Sequence, residues 1–479
     1  MLIEARLGGR PEGAAAAGAA AAGAVVRLGG DGTLDPVRTR VVLDWVQYRH
    51  SFRPPVLERP VVDRHAVVER EVAIDLRRLD EAGAASQVRA AIQPGRPGTF
   101  LEGWTPLSGS CIWQFNSLYW QELELWEKVA GRGYVQALPG GESGGTDRAA
   151  TQATIEELFA VWDGLTARRA LPEQLTVLEL GVGNGEQAKV FLDELAALDA
   201  RRRCGYYRRL QYLMGDYSSH VLERARHTVT DHGDRVSTLV LDAARPRTTL
   251  RFLDGKVFFV YISNVYDNLP TDELAVLDDV VYLVEVRAEL RPDTVDELAG
   301  VLAVEPQELG PLVARLLRLG PRLLSETLPG TFADETAATA FWQRVWGGLQ
   351  LAERYVQLGP LDCYEIAGGL SGGVLPHLAD GYGDVRFHAS NGAIESFLDT
   401  VPLLHPLGSL VSHDLFVRDL AEYRAGFRGP GKYDGSVVNW VNGPLLQTLA
   451  GRRGFHVELS PFDGQSRSPI ATARARARD

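Results

Sequence analysis

The sequence has few of the residues that build disulfide frameworks or zinc sites. Its 479 residues include three cysteines, Cys111, Cys204 and Cys363, which lie far apart and form no CxxC pair. Structural zinc sites and disulfide-rich folds usually need several closely spaced cysteines. We therefore expect no metal site, and we expect a reducing compartment, the cytoplasm.

Positive charge and long apolar runs are also scarce. There are 50 Lys and Arg residues against 62 Asp and Glu residues, which gives a formal net charge of −12. Duplex binding is driven largely by Lys and Arg that displace counterions, so nucleic acid is not expected as a partner. The longest apolar segments are shorter than the roughly 18 residues that indicate a membrane span, so no membrane partner is expected either.

Strands and helices alternate over the central part of the chain. Strands are predicted at residues 176–180, 210–214, 236–241, 257–262 and 280–285, and helices at 151–167, 187–198 and 219–228. Parallel strands need such crossover connections, so the pattern predicts an α/β domain with a parallel sheet. Later strands at 407–411, 437–440 and 455–459 are predicted to complete this sheet, the last two as an antiparallel edge pair.

A glycine-rich turn joins the first predicted strand to its helix. The segment Glu179–Gly185 places its glycines in a GxGxG pattern. Dinucleotide-binding proteins carry GxGxxG, whose third glycine would fall at Glu186. We expect the carboxylate of Glu179 to face the ligand, where it would repel a pyrophosphate and attract an ammonium or a sulfonium. The turn therefore favours S-adenosylmethionine over NAD.

Acidic residues end two further strands. Asp216 ends the second predicted strand and Asp242 the third, and ligands of open parallel sheets bind at these carboxyl ends. A carboxylate at Asp216 can accept both ribose hydroxyls, while Asp242 and the N–H of Ala243 can pair with adenine. The predicted cofactor-binding residues are Glu179, Gly181, Gly183, Gly185, Asp216, Asp242, Ala243 and Asn264.

Three segments resemble motifs of the MidA-like methyltransferases, a family that includes a mitochondrial complex I assembly factor. They are Ser263–Pro270 after the fourth strand, Tyr212–Ser218 at the second strand, and a late stretch that runs from Gly408–Asp414 to Val438–Val441. The chain differs from the family pattern at Val265, where an acid is usual. It also has His413-Asp414-Leu415 in place of a DYG-like turn. The resemblance implies a class I S-adenosylmethionine-dependent methyltransferase that acts on a protein. An arginine side chain is one acceptor that it suggests.

The strand pattern and the resemblance together predict a fold class. It is α/β, a Rossmann-like class I methyltransferase sheet with an N-terminal region and a helical insertion. The predicted regions are a disordered Ala/Gly-rich extension at 1–35, an N-terminal accessory region at 36–140, the cofactor-binding core at 150–290, a helical insertion or lid at 291–360, the remainder of the sheet at 361–465 and a flexible tail at 466–479.

The predicted activity is methyl transfer to an N or O nucleophile. An in-line displacement mainly needs an aligned acceptor, and an acceptor that carries a proton also needs a base. The candidate catalytic residues are Asn264, Asp267, His413 and Asp414, with Tyr266 as a further candidate base. Structural roles stay open for Asp267 as a helix cap and for His413 as a buried, hydrogen-bonded histidine.

Two alternatives to a protein methyltransferase also stay open. One is an O- or N-methyltransferase of small molecules, because the sequence carries no acceptor signature. The other is a catalytically silent assembly factor that binds the cofactor without transferring its methyl group. The expected partner is therefore a methyl acceptor, either a protein or a small molecule. A second copy of the chain, in a homodimer, is a further candidate partner.

Overall fold

The computed structural model describes residues 2–6, 13–44, 50–63, 66–79, 83–92, 98–134, 148–375, 383–424, 429–462 and 469–478. The chain folds into two compact units. Unit 1 consists of Met1–Ala130, Pro270–Asn391 and Asp419–Asn442, and unit 2 consists of Gly131–Leu269, Gly392–Arg418 and Gly443–Asp479.

The secondary-structure elements are numbered in chain order. The strands are β1 (Leu2–Arg6), β2 (Thr39–Asp44), β3 (Val56–Asp63), β4 (Ala66–Asp75), β5 (Thr99–Phe100), β6 (Thr105–Pro106), β7 (Leu175–Leu180), β8 (Leu210–Asp216), β9 (Val236–Val240), β10 (Val257–Ser263), β11 (Glu273–Leu277), β12 (Val280–Leu290), β13 (Leu349–Gln357), β14 (Glu365–Ala367), β15 (Leu370–Ser371), β16 (Val385–His388), β17 (Leu404–Asp414), β18 (Phe416–Val417), β19 (Gly431–Tyr433), β20 (Ser436–Val438), β21 (Val441–Asn442), β22 (Phe455–Pro461) and β23 (Ala471–Ala477). The α-helices are α1 (Gly13–Gly30), α2 (Ala84–Ile92), α3 (Ile112–Gln121), α4 (Leu123–Ala130), α5 (Arg148–Ala167), α6 (Glu186–Arg202), α7 (Ser219–Thr228), α8 (Arg247–Leu250), α9 (Pro292–Leu302), α10 (Leu309–Thr327), α11 (Glu335–Gly348), α12 (Asn391–Thr400), α13 (Ala421–Arg424) and α14 (Gly443–Arg452).

Unit 2 is built on a seven-stranded sheet with the order β9-β8-β7-β10-β17-β23-β22. Numbered within this sheet, the order is 3-2-1-4-5-7-6, and only β23 runs antiparallel to its neighbours. The dinucleotide-binding fold has the order 3-2-1-4-5-6 without an inserted antiparallel strand. The order found in unit 2 is that of class I methyltransferases, so the predicted Rossmann-like fold class is confirmed.

The core of unit 2 lies between this sheet and α5 and α6. Trp162 of α5 and Phe191 of α6 are almost fully buried, and Val177, Tyr212 and Phe259 of the sheet pack in the same cluster. Since alternate side chains of a strand point to opposite faces, every second residue of β7 faces these helices. Full burial of one such side chain stabilises the fold by about 1.5–3 kcal/mol.

Unit 1 contains a second, larger sheet, in which β1-β2-β4-β3-β13-β12-β11-β16 are neighbours and β5 and β6 pair with β12. The prediction that residues 280–285 belong to the methyltransferase sheet was therefore wrong. Asp278 and Asp279 have φ angles of 48° and 63° and join β11 to β12 as a tight hairpin. A two-residue loop with positive φ angles makes an antiparallel pair. The predicted helical stretch to residue 360 also ends earlier, because β13 begins at Leu349.

The segment Gly431–Tyr433 with Asp434, part of the late family-like stretch, lies in unit 1 and has structural contacts there. The Nζ atom of Lys432 donates to the carbonyl oxygen of Trp346 at 2.7 Å, near the end of α11. The carboxylate of Asp434 accepts from the hydroxyl of Tyr119 at 3.0 Å and from Nε1 of Trp126 at 3.1 Å. The predicted strand at 437–440 overlaps β20, which pairs with β19 and not with the sheet of unit 2.

Both predicted flexible ends contain regular structure. The Ala/Gly-rich segment forms α1, and Ala21, Val25 and Leu28 of this helix are fully buried in a cluster with β2 and β4. Alanines spaced along one helix face let the backbone approach the sheet closely, which a composition argument does not detect. At the other end, Ala471–Ala477 is the antiparallel strand β23. In the described ranges, none of the helices combines the length and apolar character needed to cross a membrane.

Candidate cofactor and catalytic site

The glycine-rich turn between β7 and α6 requires glycine at three positions. Gly181, Gly183 and Gly185 have φ angles of 73°, 57° and 80°, in the left-handed region that side chains disfavour. A Cβ atom on Gly181 would lie 2.3 Å from Cγ2 of Val265, and one on Gly185 would lie 2.8 Å from Cα of Ala225. The bare backbone therefore lies at the carboxyl end of β7, where a ligand can approach it closely.

Glu179 is buried near this turn. Its side chain is 2% exposed, and its Oε2 accepts a hydrogen bond of 2.6 Å from the hydroxyl of Tyr212. Strand alternation puts it on the same face as Val177, under α6. Burial raises the pKa of Glu179 to about 8, so the group is mostly neutral at pH 7. In this form Glu179 would attract a cationic ligand less than an ionised carboxylate would.

Asp216, at the end of β8, is joined to the glycine turn. Its Oδ2 accepts from the N–H of Gly183 at 3.4 Å, and its Oδ1 accepts from the N–H of Ser218 at 3.1 Å. The side chain is half-buried, and burial raises its pKa to about 6. Asp216 thus connects the end of β8 to the glycine turn.

Asp242 and Ala243 follow the third strand of the sheet. The N–H of Leu241 donates to the carbonyl oxygen of Asp216 at 3.0 Å, so the ends of β8 and β9 are adjacent. Asp242 is exposed, and its Oδ1 accepts from the N–H of Ala244 at 2.8 Å, while the carbonyl oxygen of Ala243 accepts from the hydroxyl of Ser396. Asp242 therefore presents its other oxygen at the same edge of the sheet as Asp216.

The loop after β10 is held by a carboxylate from the neighbouring strand. Asp414, at the end of β17, accepts with one oxygen from the N–H groups of Val265 and Tyr266, at 3.1 and 2.8 Å. Asn264 precedes them with a φ angle of 52°, which asparagine tolerates better than most residues. Because Val265 contacts Gly181, Asp414 positions the glycine turn indirectly.

Two of the candidate catalytic acids, Asp267 and Asp414, form a buried pair. They are 5% and 0% exposed. Burial raises the pKa of Asp267 well above its usual range, and so do the charge of Asp414 and a hydrogen bond to it. Burial also raises the pKa of Asp414 to about 6, although several backbone N–H groups that donate to it act in the opposite direction. Asp267 therefore keeps its proton and donates to Asp414, and neither acid is a free base. Tyr266 is also buried, and burial raises its pKa.

His413 faces away from the loop that Asp414 holds, because consecutive residues of a strand point to opposite faces. Its Nδ1 lies 2.9 Å from the hydroxyl of Thr472, and its ring packs edge-on against Tyr261 and Phe462. The structure thus groups Gly181, Asp216, Asn264, Asp267 and Asp414 at one edge. Glu179 is buried close enough to Asp216 for their charges to interact, and His413 lies apart from the group. Among the residues that the structure describes, no cluster of His, Cys, Asp or Glu has the arrangement of a metal site.

Three contributors to this site were missed in the sequence. Val265 packs on Gly181, Tyr212 binds Glu179, and the hydroxyl of Tyr134 lies 2.9 Å from the position of a Cβ atom on Gly183. Only Tyr212 carried a usable signal, because it lies on the neighbouring strand at a position with the same facing as Glu179. The other two contacts join segments that are distant in sequence.

Comparison with known proteins gives distant similarities. No protein family and no curated protein matches the sequence. Among solved structures, the chain is similar to a Burkholderia thailandensis protein bound to S-adenosyl-homocysteine, with 13% identity, 78% of this chain and 88% of that chain covered, and a TM-score of 0.43. An uncharacterised protein of the same organism has 14% identity, 78% and 87% coverage and a TM-score of 0.43. The DszA carbon methyltransferase has 11% identity, 87% and 74% coverage and a TM-score of 0.34. Since all three scores are below 0.5, the fold assignment depends on the strand order of unit 2 and not on these similarities.

Proposed function

We propose that unit 2 binds S-adenosylmethionine and that the protein transfers its methyl group to an N or O nucleophile. The observation that carries this proposal is the 3-2-1-4-5-7-6 strand order with a turn of three positive-φ glycines at the carboxyl end of β7. Asp216 and Asp242 end the next two strands at that edge, where ligands of open α/β sheets bind. The acceptor is either a small molecule or a protein, in which an arginine side chain is one candidate.

The residues of the turn fit this cofactor. The glycine backbone would hold the methionine part, and the carboxylate of Asp216 would accept from the ribose hydroxyls. Asp242 and the N–H of Ala243 would bind the adenine edge. When bound, the cofactor supplies an electrophilic methyl group. The side chain of Asn264, which is half-buried at the end of β10, would orient the acceptor or the cofactor through its amide.

A binding comparison tests the cofactor assignment. By calorimetry, we expect S-adenosylhomocysteine to bind and NAD to fail. Gly183→Leu fills the space in front of Tyr134 and is expected to weaken S-adenosylhomocysteine binding by about 100-fold or more, or about 2.7 kcal/mol. Gly164→Leu is the matched control, because a Cβ atom on Gly164, in α5, meets no atom within 4 Å. Tighter binding of NAD, or equal affinity in both variants, would disprove the proposal.

A second candidate, a cofactor-binding protein without turnover, is favoured by one specific observation. Asp267, His413 and Asp414 are each less than a tenth exposed, and each is engaged in hydrogen bonds. None of these three side chains is therefore available as a base. Incubation with methyl-labelled cofactor and fractionated cell extract separates the two candidates. Label in protein or in small molecules supports transfer and identifies the acceptor class, whereas cofactor binding without any labelled product supports the silent protein.

A further inference from the structure

A second potential binding site lies within unit 2, on the sheet face that carries α5 and α6. It is a pocket of about 180 Å³, lined by residues of α5, α6, β10, β17, β22 and β23. None of the predicted cofactor-binding residues lines it. Pockets for drug-sized ligands begin at roughly 300 Å³, so this one suits a smaller molecule.

The floor of the pocket is formed by neighbouring strands. Tyr261 of β10 lies beside Val411 of β17, and His413 lies beside Thr472 of β23. Their side chains share one face of the sheet because paired residues point the same way. This explains the position of His413, whose ring lines the pocket.

The walls divide into an aromatic side and a hydroxyl side. Aromatic carbon comes from Phe191, Phe259 and Phe462 together with Tyr261, and Thr154 is one of the residues that contribute hydroxyl groups. The side chains that carry a formal charge are those of Glu458 and Arg474. They lie opposite each other on β22 and β23, so the lining has one formal charge of each sign, and Arg474 donates to the carboxylate of Glu157 at 2.7 Å. The lining therefore matches an uncharged ring that carries a polar substituent.

Gln187, in the first turn of α6, gives the pocket a specific polar contact. Its Nε2 donates to the hydroxyl of Thr151 at 3.2 Å. Its Oε1 is buried and makes no hydrogen bond to any residue of the described ranges. If the amide is flipped, so that the oxygen accepts from Thr151, the nitrogen is the atom without a hydrogen-bond partner in the described ranges. A buried polar atom without a partner costs about 1–3 kcal/mol, and a ligand hydroxyl, which both donates and accepts, removes this cost in either orientation.

We propose that this pocket binds a small neutral molecule with one aromatic ring and a hydroxyl group, and that the amide of Gln187 recognises the hydroxyl. The proposal does not depend on the proposed methyl transfer, because the site shares no residue with the glycine turn.

Calorimetry or ligand-observed NMR on the full chain tests it with three probes. Phenol has the ring and the hydroxyl, toluene has the same size without the hydroxyl, and benzoate has the ring with a negative charge. We expect phenol to bind at least tenfold more tightly than the other two. Equal binding of phenol and toluene, tighter binding of benzoate, or no binding of phenol would overturn the proposal.

Two substitutions locate the binding. Gln187→Met keeps the volume and removes the amide, so phenol affinity should fall about tenfold, to the level of toluene, while toluene affinity stays unchanged. Thr154→Trp fills the pocket and should abolish binding of phenol. Ala153→Trp, on the exposed side of the same helix, is the control and should bind phenol normally. If Thr154→Trp does not fold, Gln187→Met decides alone, and unchanged phenol affinity in that variant contradicts the proposal.

Discussion

The contact between Gly181 and Val265 yields a quantitative prediction for Gly181→Ala. A Cβ atom there would lie 2.3 Å from Cγ2 of Val265, whereas carbon atoms pack best at about 3.5–4.0 Å. The φ angle of 73° adds a separate cost of about 1–2 kcal/mol for a residue with a Cβ atom. Displacing the packed valine costs about 1–3 kcal/mol more. Together these effects should destabilise the turn by about 2–5 kcal/mol.

The two costs can be separated by substitution. In Gly181→Ala/Val265→Ala the Cγ2 atom is absent, and the remaining Cβ of residue 265 lies at 3.8 Å, an ordinary contact. Only the backbone cost of about 1–2 kcal/mol should then remain, so the double-mutant cycle should give a coupling of about 1–3 kcal/mol. Gly255→Ala is the matched control, because Gly255 has a φ angle of 71° and a Cβ atom there meets no atom within 4 Å.

Hydrogen exchange measured by mass spectrometry on peptides from β7 and α6 is the suitable assay. A global unfolding curve would combine two units and would not report a single free energy. Calorimetry with S-adenosylhomocysteine on Gly181→Ala, Val265→Ala, the double variant and Gly255→Ala would show whether a displaced turn also loses ligand affinity. If Gly181→Ala costs no more than Gly255→Ala, or if the cycle is additive to within about 0.5 kcal/mol, the packing argument is wrong.

Three further predictions concern acidic residues of unit 2. Burial raises the pKa of Glu179 from 4.5 to about 8, so this side chain ionises at lower pH in the unfolded chain than in the folded one. Between those pH values, unit 2 should lose up to about 1.4 kcal/mol of stability for each unit that the pH rises. This slope should be absent in Glu179→Gln, as measured by hydrogen exchange at several pH values, and an unchanged slope would reject the assignment. Asp267→Asn should change the stability of unit 2 by less than about 1 kcal/mol, because the amide also donates to Asp414. Asp414→Asn should cost about 2 kcal/mol or more by leaving backbone N–H groups without an acceptor. Equal hydrogen-exchange protection of peptides from β10 and β17 in the two variants would contradict this. Since the pKa of Asp216 is about 6, calorimetric affinity for S-adenosylhomocysteine should fall as the pH drops below 6, and Asp216→Asn should remove that dependence; a pH-independent wild type would argue against a role for Asp216.

Most of the parallel sheet could be predicted because its signals are local. A buried apolar strand, a glycine turn and an amphipathic helix follow one another within about 30 residues, and each is recognisable from spacing alone. The predictions failed where a strand was assigned to a sheet. The strand at 280–285 is as apolar as its predecessors, but the left-handed Asp278 and Asp279 return it antiparallel to β11.

In the candidate site, too, the local features were predicted and the contacts between distant segments were not. The positive φ angles at Gly181, Gly183 and Gly185 agree with what their residue type permits. The burial of Glu179 was not predicted, because the position of a residue in a strand does not tell which face is covered by helices. The role of Asp414 was hidden as well, since its hydrogen bonds reach Val265 and Tyr266 across about 150 positions of the chain.

The amino-acid order by itself determined the succession of strands, the glycine turn and the acids that end the strands, because these features depend on neighbours a few residues apart. Tertiary structure decided which acids are ionised, which side chains meet and which of two sheets each strand joins. Burial, and with it the pKa of Glu179 or Asp267, is set by segments that come together only when the chain folds. The same holds for the pocket beside Gln187, whose walls come from six elements separated in sequence.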